Sequence, residues 1–196
     1  MFSPSYLATC AEHAAQLLRQ ELLADPSSFK SYRWDSDFAH DPNWSVVPLY
    51  MNYQWCSQEM HTFTHPLSPL GKGLFVENLN TTALDRFPNV LSILNEFIDT
   101  KLVNYIGVSL LPPNTILHPH KHSNPGNLKL HSCVLSPSCC GLSYSDDSQT
   151  YQHDWSSPVS SVYFDDNFLH SAWNNSSSNR YILILDFNKA LLSSSN

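Results

Sequence analysis

From residue 102 onward the chain is a succession of short runs rich in β-branched and aromatic residues, at 103–111, 115–119, 128–135, 141–144, 159–164 and 180–187. Turn clusters separate them: Pro112-Pro113-Asn114, Asn124-Pro125-Gly126, Pro137-Ser138, Asp146-Asp147-Ser148 and Asn174-Asn175-Ser176. Runs this short cannot bury a helical face, and their close spacing predicts six to eight strands in a sandwich or barrel. The preceding half reads differently. Residues 5–24 are rich in Ala and Leu at helical spacing, with Ala11, Ala14, Ala15, Leu18, Leu22 and Leu23 on one face. Asp25-Pro26 stops that helix. Residues 26–45 show no period and read as loop, 46–53 as a strand with a proline at its edge, and 89–98 as a second short helix. Two helices followed by many strands predict a mainly β fold with flanking helices, a jelly roll. A length of 196 residues predicts one domain. In it, residues 1–45 form a helix-and-loop flank and 46–190 the β domain.

Charge narrows the partners. A net charge of −7 with only ten Lys and Arg leaves no basic stripe, so neither nucleic acid nor an anionic membrane surface is expected. A small anion can still be held by one or two local cations. The five cysteines, Cys10, Cys56, Cys133, Cys139 and Cys140, are odd in number and irregularly spaced. They fit neither a disulfide framework nor a CxxC zinc pattern. With no basic, apolar leader at the N-terminus and no apolar run near the ~20 residues that span a bilayer, the expectation is a cytoplasmic protein without a membrane anchor.

The residues that can carry chemistry lie in the β half. Residues 118–122 read His-Pro-His-Lys-His, His131 follows, and Phe164-Asp-Asp-Asn-Phe-Leu-His170-Ser-Ala-Trp173 carries the last histidine. Arg180 stands ten residues further on, opening the apolar run Tyr-Ile-Leu-Ile-Leu-Asp. Imidazole suits first-row metals, and a guanidinium fork suits a carboxylate. A charge at the head of so apolar a strand needs a partner. That partner is either a bound acid or a nearby residue such as Asp186. Any one of these histidines, taken alone, reads more readily as a structural core residue than as a ligand.

The segment 103–187 resembles the aspartyl/asparaginyl β-hydroxylase family of iron(II)- and 2-oxoglutarate-dependent dioxygenases, which fold as a double-stranded β-helix, a cupin-like jelly roll. The resemblance rests on Ser109-Leu-Leu-Pro-Pro-Asn-Thr, Pro119-His120, Leu128-Lys-Leu-His131, the Asp-Asp-x-Phe-x-His-x-x-Trp string ending at Trp173, and Arg180. Trp44, Leu49-Tyr50 and Phe87-Pro88 extend it more weakly toward the N-terminus. It implies that His120 and His170 ligate Fe(II) and that His131 meets the cosubstrate's C1 carboxylate. Arg180 and Ser109 would grip the far carboxylate, with Lys129 standing where the family usually has an arginine. It also implies the reaction: decarboxylation of 2-oxoglutarate coupled to hydroxylation by dioxygen of a peptide, protein or amino-acid substrate.

One position departs from the family. Two residues after the first ligand its members carry a carboxylate or a glycine, and this chain has His122. On an extended strand residues 120 and 122 share a face, so His122 either completes a three-histidine centre or points away. Two other readings stay open on the sequence. One is a three-histidine, cupin-type metalloenzyme that does not use 2-oxoglutarate. The other is a non-catalytic jelly-roll binding module. Asp165 and Asp166 read as a turn that supports His170, and Cys133 shares the strand face of His131.

Overall fold

The structure is a computed structural model that describes residues 2–29, 32–33, 44–51, 87–121, 127–155 and 160–192. Helix α1, Pro4–Ala24, starts where the Ser3 hydroxyl accepts from the Tyr6 amide and Pro4 occupies the first turn. It buries Leu7, Ala11, Ala14, Ala15, Leu18 and Leu22. Leu23, expected on that face, is 62% exposed. After Asp25 the chain makes a 3-10 turn at Pro26–Ser28, and then a two-residue strand, β1 (Tyr32–Arg33), in the span read as loop. Strand β2, Ser45–Met51, follows. Helix α2, Pro88–Asp99, buries Val90, Leu94 and Phe97.

The remaining strands are β3 (Val103–Leu111), β4 (Thr115–His120), β5 (Asn127–Leu135), β6 (Cys140–Ser145), β7 (Thr150–Asp154), β8 (Ser161–Asp165), β9 (Leu169–Asn174) and β10 (Arg180–Asn188). They form a six-stranded sheet in the order β1-β2-β3-β10-β5-β8 and a four-stranded sheet in the order β4-β9-β6-β7. All the pairings between these strands are antiparallel. This is the expected mainly β jelly roll with helices on one flank. Of its strands, β7 and β9 were not among the six expected runs.

Two cores result, and they divide the residues of each central strand. Leu183, Leu185 and Phe187 of β10 and Leu130 and Val134 of β5 pack with α1 and α2 on the outer face of the large sheet. Ile182 and Ile184 of β10 and Cys133 of β5 face the small sheet instead, joining Leu117, Cys140, Leu142, Trp155, Phe164 and Ala172. The period-two alternation of a strand makes this division. It places Arg180, Asp186, Lys129 and His131 in the inter-sheet layer with Cys133 and Ile182.

Asn174, wholly buried, ties the layer shut at one end. Its amide donates to the carbonyls of Leu111, Pro112 and Ser178. Its Oδ1 accepts from the Ser176 amide and hydroxyl and the Cys140 thiol. A single side chain thereby fixes the β3–β4 turn and the β9–β10 turn to each other.

Candidate functional site between the sheets

His120 ends β4 and His170 opens β9, and the two stand opposite each other in register. Their ring centroids are 4.3 Å apart at an interplanar angle of 58°. Each ring is held the same way. His120 Nδ1 lies 2.7 Å from the carbonyl of His118, and His170 Nδ1 lies 2.8 Å from the carbonyl of Phe168. A carbonyl only accepts, so in both rings Nδ1 carries a proton, leaving Nε2 as the nitrogen that a metal would use. This is how protein-bound metals orient their histidines. Burial, with His120 beside it, pushes the His170 pKa down to about 3, so the ring is neutral and a competent ligand at physiological pH. His122, the proposed third ligand, lies outside the described residues. Among those described, no group of three or more His, Cys, Asp or Glu side chains is placed to hold a metal ion.

Phe164 stands between the histidine pair and His131. Its ring is 5.0 Å from that of His170 and 5.1 Å from that of His131. His131 is buried, and among the described residues neither ring nitrogen has a hydrogen-bond partner. Burial first, then the positive charge of Lys129, holds its pKa well below the usual histidine range. A buried polar ring with nothing to bond to is costly unless a ligand satisfies it.

Arg180 lies at the other end of the layer, 2% exposed. Its Nη1 donates to the carbonyl of Gly141, 3.0 Å away, and more weakly to that of Trp173 at 3.4 Å, while Nε has no partner. Burial pushes its pKa down to about 10, and it remains a cation at neutral pH. Asp186 does not neutralise it. That carboxylate accepts from Lys129 Nζ at 2.9 and 3.1 Å, directly across the β5–β10 ladder. Ser109, on β3 and 2% exposed, accepts from the Trp44 indole at 2.9 Å. Trp44, part of the weaker N-terminal end of the resemblance, thus reaches a proposed site residue.

Lys129 also lies 3.4 Å from Asp166. Both acids are almost fully buried. The lysine is therefore held by two carboxylates of the chain itself, a cluster the sequence did not suggest. Asp165 and Asp166 lead into the turn expected before His170, whose Nδ1 is held by the Phe168 carbonyl. Asp165 caps the turn through the Asn167 amide and pairs with Lys189. The alternation Tyr151-x-His153-x-Trp155 along β7 was the signal for two further inward residues that sequence reasoning passed over. His153 Nε2 and Trp155 Nε1 are both buried without a partner.

Two antiparallel sheets closing over a histidine pair, a neutral histidine and an arginine with no acid beside it among the described residues define a jelly-roll protein with a polar site between its sheets. The chain belongs to the aspartyl/asparaginyl beta-hydroxylase family, whose profile matches residues 12–190. No curated protein matches the sequence. Among solved structures, the chain is similar to a predicted oxalate decarboxylase from Thermotoga maritima. The identity is 15%, the TM-score 0.35, and the match covers 47% of this chain and 73% of that one. It is also similar to an oxalate oxidase complexed with the substrate analogue glycolate, at 11% identity and a TM-score of 0.44, covering 79% of this chain and 56% of that one. A third is the Cupin_2 domain of an XRE family transcriptional regulator from Enterobacter cloacae. It is 17% identical with a TM-score of 0.34, covering 45% of this chain and 84% of that one. No helix among the described residues is long and apolar enough to cross a membrane.

Proposed function

We propose that the chain is an iron(II)- and 2-oxoglutarate-dependent hydroxylase acting on an aspartyl or asparaginyl residue or a related amino acid. The observation that carries this reading is the state of Arg180. It is a buried guanidinium with no acid among the described residues to neutralise it, in the same inter-sheet layer as two imidazoles held for ligation. Desolvating a cation without a counter-charge costs several kcal/mol, so a bound dicarboxylate is the natural partner.

The donor set fits the two groups this requires. His120 and His170 would hold the iron through Nε2, their rings fixed by the His118 and Phe168 carbonyls. Iron(II), when bound, supplies the activation of dioxygen that side chains do not. Arg180 and Ser109 receive the distal carboxylate, where low dielectric strengthens a charge-assisted bond. Neutral His131 offers one N–H to the near carboxylate without adding charge beside the histidine pair. Lys129 serves differently from a free cation. Its charge is already taken by Asp166 and Asp186, so it braces the strand below His131. The three-histidine reading without 2-oxoglutarate has no use for a buried arginine.

The test is 2-oxoglutarate binding by calorimetry, together with succinate release by iron-loaded protein. Wild-type protein is expected to bind and slowly turn over 2-oxoglutarate. Arg180→Met is expected to weaken binding by about 10- to 100-fold, the range for a lost hydrogen bond to a charged group. A wild-type protein that neither binds nor consumes 2-oxoglutarate overturns the reading.

A further inference from the structure

The inter-sheet layer holds more unpartnered nitrogen than the two carboxylate contacts proposed above account for. Besides Arg180 Nε and the two nitrogens of His131, Trp155 Nε1 and His153 Nε2 are buried and unbonded. Trp155 is 1% exposed, among the largest fully buried side chains of the described residues. An indole N–H is a donor only, and a buried indole ordinarily finds an acceptor.

Its place relative to Arg180 is set by β6. The Trp155 amide donates to the carbonyl of Cys140 at 3.1 Å, and Arg180 Nη1 donates to the carbonyl of the next residue, Gly141. Both side chains lie between the sheets, and Trp155 packs in the cluster that contains Cys133, Cys140 and Ile182. Arg180 lies near the same Cys133 and Cys140. His153, two residues before Trp155 and facing the same way, sets its ring edge-on to the indole, with centroids 4.3 Å apart and planes at 72°.

We propose that Trp155 is a further binding residue of the acid pocket, donating its indole N–H to the carboxylate that Arg180 receives, and that His153 is a positioning residue that holds the indole in place. This rests on the reading of Arg180 as a carboxylate clamp. A guanidinium alone pays little attention to what else its ligand carries. An indole N–H anchored on the same strand, β6, as the guanidinium adds a direction, and so selects an acid whose distal carboxylate reaches both donors. The ligand class is a dicarboxylate. A 2-oxo monocarboxylate lacks the group that Trp155 would meet.

The experiment is calorimetric titration of the full chain, loaded with Mn(II) so that no turnover intervenes, with 2-oxoglutarate, succinate and 2-oxobutyrate. Trp155→Phe keeps the ring and deletes the donor. It is expected to weaken 2-oxoglutarate binding by about tenfold, as for a hydrogen bond to a charged group, and to leave 2-oxobutyrate binding unchanged. His153→Phe is expected to weaken the dicarboxylate less and to leave the monocarboxylate alone. Equal affinity of wild type and Trp155→Phe for the dicarboxylates, or an equal loss for dicarboxylate and monocarboxylate, overturns the inference and leaves the hydroxylase reading standing. If wild type ignores 2-oxoglutarate but binds succinate in a Trp155-dependent way, the inference holds and the cosubstrate reading fails. If wild type binds none of the three, both fail. Should Trp155→Phe not fold, the assigned indole 15N–1H resonance of Trp155 in the wild-type protein carries the test. A shift on saturation with dicarboxylate supports the inference, and an unmoved resonance overturns it.

Discussion

At the scale of single residues, two buried cations behave in opposite ways. Lys129 is a structural charge. Its ammonium sits on Asp186 and near Asp166, both carboxylates buried, and their attraction raises its pKa against the opposing effect of burial. Lys129→Met leaves two buried carboxylates without a counter-charge and is expected to cost about 3–5 kcal/mol, read by urea denaturation at pH 7. Arg180 is a charge without an acid among the described residues. Arg180→Met exchanges an uncompensated cation for an apolar side chain of similar length. It is expected to leave the ligand-free protein as stable as wild type or to stabilise it by about 1–4 kcal/mol, while acid binding falls. An arginine kept for structure would show the reverse, a large loss of stability in the same denaturation experiment. The sequence allowed Arg180 either partner, a ligand or Asp186. It could not decide because the Lys129–Asp186 contact joins strands 57 residues apart, and cross-strand register is not written in local spacing.

At the scale of elements, the apolar strands were legible and the polar ones were not. The spans of β3, β5 and β10 announce themselves as β-branched runs because each buries one face on the helices and the other between the sheets. Strands β7 and β9 read Thr-Tyr-Gln-His-Asp and Leu-His-Ser-Ala-Trp-Asn. Their inward positions carry His153, His170 and Asn174 in place of aliphatics, so the residues that make the site also erase the strand signal. The first helix was legible to within a residue or two. Leu23 was assigned to its apolar face only because position 23 borders the true stripe of Leu18 and Leu22. The close approach of β6 to β9 is testable at Gly141. A Cβ there would lie 2.2 Å from the Trp173 ring, while the Gly141 carbonyl is the main acceptor of Arg180. Gly141→Ala must therefore displace either the indole or the strand. It is expected to cost about 1–3 kcal/mol and to weaken acid binding as well, a coupling that paired melting and binding measurements would detect.

At the scale of the whole molecule, the site makes the fold sensitive to acid. His131 and His170 both have pKa values lowered by burial, His170 to about 3. The unfolded chain takes up protons on both near pH 6.5, where the folded chain does not. Stability is therefore complete above about pH 6.5 and falls as the pH drops toward the folded values, by up to about 1.4 kcal/mol per pH unit for each histidine. Metal-free wild-type protein is expected to lose melting temperature steadily between pH 7 and 5. The slope should flatten in the His131→Gln variant, and an unchanged slope would contradict the assignment of a neutral, buried ring. The same neutrality keeps the layer ready for a cation at one end and an anion at the other.

That double readiness is tested most directly by a crystal structure of the protein grown with Mn(II) and N-oxalylglycine, an unreactive mimic of 2-oxoglutarate. The account requires one metal bound by Nε2 of both His120 and His170 and the distal carboxylate of the mimic on the guanidinium of Arg180. A metal bound elsewhere, or a mimic that leaves Arg180 without an acid, would contradict it.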